Sequence, residues 1–157
     1  MNKYNIGGDL QSSISNSSFM KHFSTGKYPG ELHLRTLNPF NKTNVKHNFT
    51  GPGSHIDKRL VNYNDIINSY NETGNLNIDP IPTSDSIPIN RIDQAAMKHD
   101  VKYISNYLRD RHVADVEMIH EINNIPNPTF RERLESGIVK AIMKTKLMRW
   151  ISFIKRV

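Results

Sequence analysis

At 157 residues, 36% hydrophobic and 23% charged with a net charge of +6, the chain is one domain's worth, polar but able to bury a core. No stretch approaches the ~20 consecutive apolar residues of a membrane span, and MNKYNIGGDLQSSISNSSF lacks the apolar centre of a secretory signal. The lack of cysteine excludes disulfides, thiolate metal sites and thiol nucleophiles together, leaving chemistry to histidine, carboxylates, hydroxyls and backbone.

Residues 1–30 are rich in Ser, Asn and Gly with few apolar anchors, which predicts a flexible N-terminal arm. The domain is expected over 31–148, followed by a basic, apolar tail over 149–157. Glu31-Leu32-His33-Leu34-Arg35 alternates like a short strand. Phe49-Thr50-Gly51-Pro52-Gly53-Ser54 reads as a loop with two glycines about a proline. In the Asn-rich stretch Val61 to Asp79, Tyr63, Ile66, Ile67 and Tyr70 lie at helical spacing, predicting a short helix before Gly74. Pro80, Pro82 and Pro88 then end regular structure.

Asn90 is placed to cap a helix expected to run to about Leu108, with Asp93 in its first turn, where a carboxylate suits the helix N-terminus. Ile92, Ala96, His99 and Tyr103 define its inward face. A second helix is expected from about Arg111 to Ile122, with Val116, Ile119 and Ile122 on a stripe. The short link between the two makes them antiparallel neighbours. A long third helix is expected from Asn127-Pro128, with Pro128 suited to its first turn and Phe130, Leu134, Ile138, Ala141, Ile142 and Thr145 buried.

Over Ile138–Val157 six bases (Lys140, Lys144, Lys146, Arg149, Lys155, Arg156) stand without an acid, while the remaining 15 match the 15 acids. The whole charge excess is therefore C-terminal and points to an anionic partner, lipid or nucleic acid. Val139, Ile142, Leu147, Trp150, Phe153 and Ile154 form an apolar arc on a helical wheel, interrupted by Lys146 and bordered by Arg149. Trp150, Phe153, Lys146 and Arg149 are the candidates for contact with an anionic lipid surface. Nucleic acid gains little from large apolar side chains and is the lesser candidate.

His99-Asp100-x-x-Tyr103 carries the candidate chemistry. On a helix the three side chains project to one side, yet sequence neighbours diverge by about 100° and are not expected to bond each other. Asp100 is thus left to meet a cation and His99 a second carboxylate. The pattern alone is weak, since a histidine on an apolar helix face is more often a core residue. The glycine loop upstream and the Ala114-Asp115 step downstream add weight. His120-Glu121-x-x-Asn124, by contrast, lacks the second histidine of a zinc protease helix.

Five segments occur in order: Phe49-Thr50-Gly51-Pro52-Gly53, Ile56-Asp57-Lys58-Arg59-Leu60, Pro88-Ile89-Asn90-Arg91-Ile92-Asp93-Gln94-Ala95-Ala96, His99-Asp100-x-x-Tyr103 and Ala114-Asp115. Together they resemble the phospholipase A2 domain of parvovirus and densovirus minor capsid proteins, most of all its relatives in invertebrate viruses and mobile elements. Asp110-Arg111-His112-Val113-Ala114-Asp115 is similar to the pattern that follows the histidine there, and the resemblance spans about residues 45 to 148. Between Leu60 and Pro88 the chain carries more residues than parvoviral members do.

The resemblance implies a mainly α fold: a calcium loop, two antiparallel helices carrying the chemistry, a long C-terminal helix and no disulfides. It implies calcium-dependent hydrolysis of the sn-2 ester of glycerophospholipids. The carbonyls of Phe49, Gly51 and Gly53 and the Asp100 carboxylate would bind Ca2+, with Phe49 contributing a carbonyl where the family has Tyr. His99 would be the general base, Asp115 would hold its imidazole, and the Gly51 amide would donate to the oxyanion. Tyr103 would fix Asp115 through its hydroxyl, or simply pack. Asp110, the competing carboxylate, lies at the inter-helix turn where it would cap the second helix. The implied location is the virion, as a minor capsid component acting on a host endosomal membrane, with phospholipid surface and capsid proteins as partners. The alternative is a non-catalytic structural capsid or nucleic-acid-packaging module that retains the fold.

Overall fold

The computed structural model describes residues 21–37, 44–78, 83, 85–104 and 108–156. It is mainly helical, with a small sheet at its N-terminal side. The alternation at 31–35 extends over Leu32–Leu37 as β2, the middle strand between β1 (Phe23–Thr25) and β3 (Asn44–Lys46), both antiparallel to it. β1 corrects the expected arm, because Phe23, Ser24 and Thr25 pair with Leu34, His33 and Leu32. The turn closes through the Gly26 amide on the Glu31 carbonyl, and Phe23 is buried. One buried aromatic and a tight turn outweigh a polar average taken over thirty residues. Residues 1–20 of that arm lie outside the described residues.

Helices α1 (Ile56–Arg59) and α2 (Tyr63–Thr73) follow the glycine loop. Gly74 ends α2 at φ 69°, a left-handed cap that glycine adopts without a Cβ penalty, and its amide bonds the Tyr70 carbonyl. α3 (Arg91–Lys102) starts where expected, the Asn90 side chain accepting from the Asp93 amide. It ends well before Leu108, since the Ile104 amide reaches back only three residues to Val101 and tightens the last turn. α4 (Leu108–Asn123) buries Ala114, Asp115, Met118 and Ile122, while Val116, expected inward, is exposed. Lys98 pairs with Glu121 and Lys102 with Glu117, so α3 and α4 lie side by side.

The long helix α5 (Phe130–Arg156) begins two residues after Pro128, which therefore does not open it. Its start is a capping box: the Thr129 hydroxyl accepts from the Glu132 amide at 3.1 Å and Glu132 accepts from the Thr129 amide at 3.0 Å. Glu132 also binds Arg91 at 2.6 Å, tying the N-termini of α5 and α3. The buried face of α5 runs through Glu135, Ile138, Val139, Ile142 and Met143, leaving Phe130, Leu134 and Thr145 exposed against expectation. A buried glutamate, invisible to a hydropathy pattern, belongs to that face because Asn90 and Arg131 donate to it and the His47 imidazole stands 3.0 Å away.

Leu34, Phe49, Leu60, Ile92 and Val101 are at most 1% exposed, and with Met118, Ile122, Val139, Ile142 and Met143 they form one core joining sheet, loop and helices. Full burial of such side chains stabilises by ~1.5–3 kcal/mol each, which holds α3, α4 and α5 together. No helix among the described residues is long and apolar enough to cross a membrane.

Candidate active site

His99 lies in the last turn of α3, and the neighbouring helix brings Asp115 to it. The imidazole Nε2–H donates to Asp115 Oδ1 at 2.6 Å, a charge-assisted bond. That assigns the proton to Nε2 and leaves Nδ1 as the basic nitrogen. Asp115 is fully buried. The competing Asp110 has its side chain outside the described residues; Asp115 is the carboxylate described at His99 Nε2.

The expectation that His99 and Asp100 would not bond each other needs correction. Nδ1 and Asp100 Oδ1 stand 3.4 Å apart, too long for a strong bond yet close enough to interact. Burial would lower the His99 pKa, but the carboxylates of Asp100 and Asp115 outweigh it and hold the imidazole above the ordinary value. Burial raises the Asp100 carboxyl, only partly offset by His99. For Asp115 the order reverses: burial raises it, but His99 and Lys146 bring it below the usual carboxylate range. Tyr103 stacks its ring on His99, centroids 4.9 Å apart at 27°. Its contact with the pair is thus through the ring, and burial with the Asp115 charge raises its hydroxyl pKa.

Across the cavity the glycine loop is fixed by close approach. A Cβ on Gly51 would stand 1.8 Å from the Leu32 carbonyl oxygen, and one on Gly53, at φ 76°, 2.5 Å from that of Gly30. The Leu34 amide donates to the Thr50 carbonyl at 2.7 Å and the Leu32 amide to the Pro52 carbonyl at 3.0 Å. The carbonyls of Phe49 and Gly51 instead face the Ser54 hydroxyl, at 3.2 and 3.3 Å. Phe49, Gly51, Gly53, Ser54 and Asp100 all line the same cavity.

Asp100 Oδ2 is buried with no hydrogen-bond partner among the described residues. An orphaned carboxylate oxygen and the carbonyls of Phe49 and Gly51, lining one cavity, are hard oxygen donors of the kind calcium takes. No group of three or more His, Asp or Glu among the described residues forms a separate metal cluster.

Asp93 was expected only to favour a helix N-terminus, but it also anchors this loop. Its Oδ1 accepts from the amides of Phe49 and Thr50 at 2.8 and 3.0 Å and from the Thr50 hydroxyl at 2.9 Å. Oδ2 accepts from the amides of Asn48 and Ile89 at 3.0 and 3.1 Å. Burial would raise this carboxyl, yet His47 and the amides hold it down to about 2. His47, itself fully buried, lies between Asp93 and Glu135 and contacts the Thr50 hydroxyl at 2.9 Å.

The cavity between loop and helices is about 450 Å³. His99, Asp100 and Tyr103 share it with the apolar side chains of Phe23, Ile56, Met118 and Ile142.

Of the expected lipid contacts, Arg149 and Phe153 are exposed near the end of α5. Trp150 lies on that helix with its side chain outside the described residues. Lys146 must be reassigned. Its ammonium sits 2.8 Å from Asp115 Oδ1 and 4.1 Å from the centre of the Tyr103 ring, because α5 turns this position toward α3 and α4. The wheel carried the signal: a lysine interrupting an inward apolar arc requires a buried acid to meet it.

Comparison with family models, with curated proteins and with solved structures finds no match to this chain.

Proposed function

We propose that this chain is a calcium-dependent phospholipase A2 hydrolysing the sn-2 ester of glycerophospholipids. The observation that carries the reading is the 2.6 Å His99–Asp115 bond opening on a cavity that Asp100 lines together with the glycine loop of Phe49, Gly51 and Gly53. The pairs Lys98–Glu121 and Lys102–Glu117 step in opposite senses, supporting an antiparallel arrangement of the helices that carry the two residues.

In this reading His99 Nδ1 takes a proton from water as the water attacks the ester carbonyl, a role worth ~10²–10⁴ in rate. Asp115 holds the imidazole with Nε2 protonated and stabilises the imidazolium that forms. Tyr103 confines the ring through stacking, and the Gly51 amide donates to the developing oxyanion. Bound on the carbonyls of Phe49, Gly51 and Gly53 and on Asp100, calcium would supply Lewis-acid stabilisation of that charge. The apolar wall of Phe23, Ile56, Met118 and Ile142 suits an acyl chain.

Exposed Met148, Ile151, Phe153 and Ile154, with Arg149, Lys155 and Arg156 among them, suit an anionic lipid surface. As a minor capsid component the domain would breach a host endosomal membrane. A structural module has no need of a buried carboxylate–imidazole pair open to a cavity.

The test is fatty-acid release from liposomes of mixed phosphatidylcholine and phosphatidylglycerol, labelled separately at sn-1 and sn-2. Release from sn-2 is expected with calcium at ~10⁻⁴–10⁻³ M, a range set by a single carboxylate ligand, and little in magnesium. Undiminished release in chelator, or none in calcium, refutes the reading.

A further inference from the structure

Three helices, not two, meet at the candidate base. We infer that Lys146 of α5 is a positioning residue for the Asp115–His99 pair, an inference that rests on the hydrolase reading above. Its ammonium donates to Asp115 Oδ1 at 2.8 Å, the same oxygen that His99 Nε2–H reaches at 2.6 Å. Asp115 Oδ2 is buried, and His112 Nδ1 stands 3.7 Å from it, at ion-pair distance. Two donors from different helices thus converge on one carboxylate oxygen.

One bond leaves a carboxylate free to turn about its terminal torsion; a second donor, fixed on another helix, sets its plane. Lys146 is itself confined, its side chain 16% exposed and its ammonium packed 4.1 Å from the centre of the Tyr103 ring. That ring covers one face of His99, so the three contacts close around the imidazole. The ammonium also supplies the counter-charge a fully buried carboxylate requires. Supporting groups of this kind commonly change activity by ~10–100-fold when removed, without touching substrate.

The experiment compares Lys146→Met, which keeps the length of the side chain, with Lys146→Arg, which restores a donor. Turnover is measured on a soluble short-chain phosphatidylcholine, calcium affinity by titration, and the hydrogen-bonded His99 proton by its downfield NMR signal, assigned by its loss in His99→Gln. For Lys146→Met, kcat should fall ~10–100-fold while KM and calcium affinity change little. The downfield signal should weaken or move in Lys146→Met, and both kcat and signal should recover in Lys146→Arg. Lys146→Gln takes the place of the Met variant if that one fails to fold. An unchanged kcat with an unchanged signal overturns the inference. So does a raised KM at constant kcat, which would make Lys146 a contact for the substrate phosphate. A wild-type protein that releases no fatty acid defeats the hydrolase reading, while the imidazole signal still decides whether Lys146 orients the pair.

Discussion

Replacing Asp93 by asparagine keeps the volume of the side chain and removes one acceptor oxygen and the charge. In the wild type five donors converge on this carboxylate: the Phe49 and Thr50 amides and Thr50 hydroxyl on one oxygen, the Asn48 and Ile89 amides on the other. The best arrangement open to the substituted carboxamide keeps its oxygen on the first set and turns its NH2 toward the Asn48 and Ile89 amides. Those two amides are partly reached by water, so each costs toward the low end of the ~1–3 kcal/mol for an unsatisfied donor. The three retained bonds lose their charge assistance, about half their strength. The sum is ~3–5 kcal/mol, the range found when one partner of a buried charged network is removed. Urea denaturation of Asp93→Asn should show that loss, and calcium titration should show weaker binding, because the loop that presents the Phe49 and Gly51 carbonyls is no longer pinned. Stability within ~0.5 kcal/mol of wild type would be the shift of an ordinary surface change. It would show that these bonds do not hold the loop, and the argument would fail.

His99→Gln and Asp115→Asn should each lower turnover by ~10²–10⁴ while far-UV circular dichroism stays unchanged, and Asp110→Asn should not. Gly51→Ala should lower stability by ~3 kcal/mol or more in urea titration, since its Cβ would meet the Leu32 carbonyl, and wild-type stability would contradict the close approach described. Asp93, Glu135, Glu31 and Glu132 are each held down to about 2. Their folded pKa values lie below the unfolded ones, so the stability they contribute is present above about pH 4 and lost as pH falls toward 2. Thermal melts should accordingly collapse across that window, and a flat Tm there would count against the pairings. Removing residues 149–157 should cut hydrolysis of anionic vesicles far more than of a soluble short-chain ester. Unchanged vesicle hydrolysis with loss of DNA binding would make the tail a packaging element.

The meeting of His99 and Asp115 was expected from the resemblance, and helical spacing with a short link between two helices left His99 free to meet such a carboxylate. Asn90 as a cap and Gly74 as a stop were legible because both are local. Asp93 was not, because its loop partners lie more than forty residues away and nothing beside it distinguishes an anchor from a first-turn acid. Glu135 and Lys146 misplaced the buried face of α5, since a hydropathy pattern assigns charges to solvent and cannot see the partners that bring them in. Thr129-x-x-Glu132 is a readable capping box, and it outweighs the signal of Pro128 beside it. β1 escaped because a three-residue strand held by one aromatic is smaller than any composition window.

The way β2 grips the glycine loop gives that segment a parity. Its Leu34 and Leu32 amides take the carbonyls of Thr50 and Pro52, so the even-numbered oxygens belong to the sheet. The odd-numbered oxygens of Phe49 and Gly51 are turned to the cavity as a result. Inserting one residue between His47 and Phe49 would hand the sheet the oxygens that now meet the Ser54 hydroxyl and bury those that replace them. Inserting two would restore the phase at the cost of a longer approach. Length changes here should therefore be tolerated in pairs rather than singly, a rule imposed by the short strands that flank the loop among the described residues.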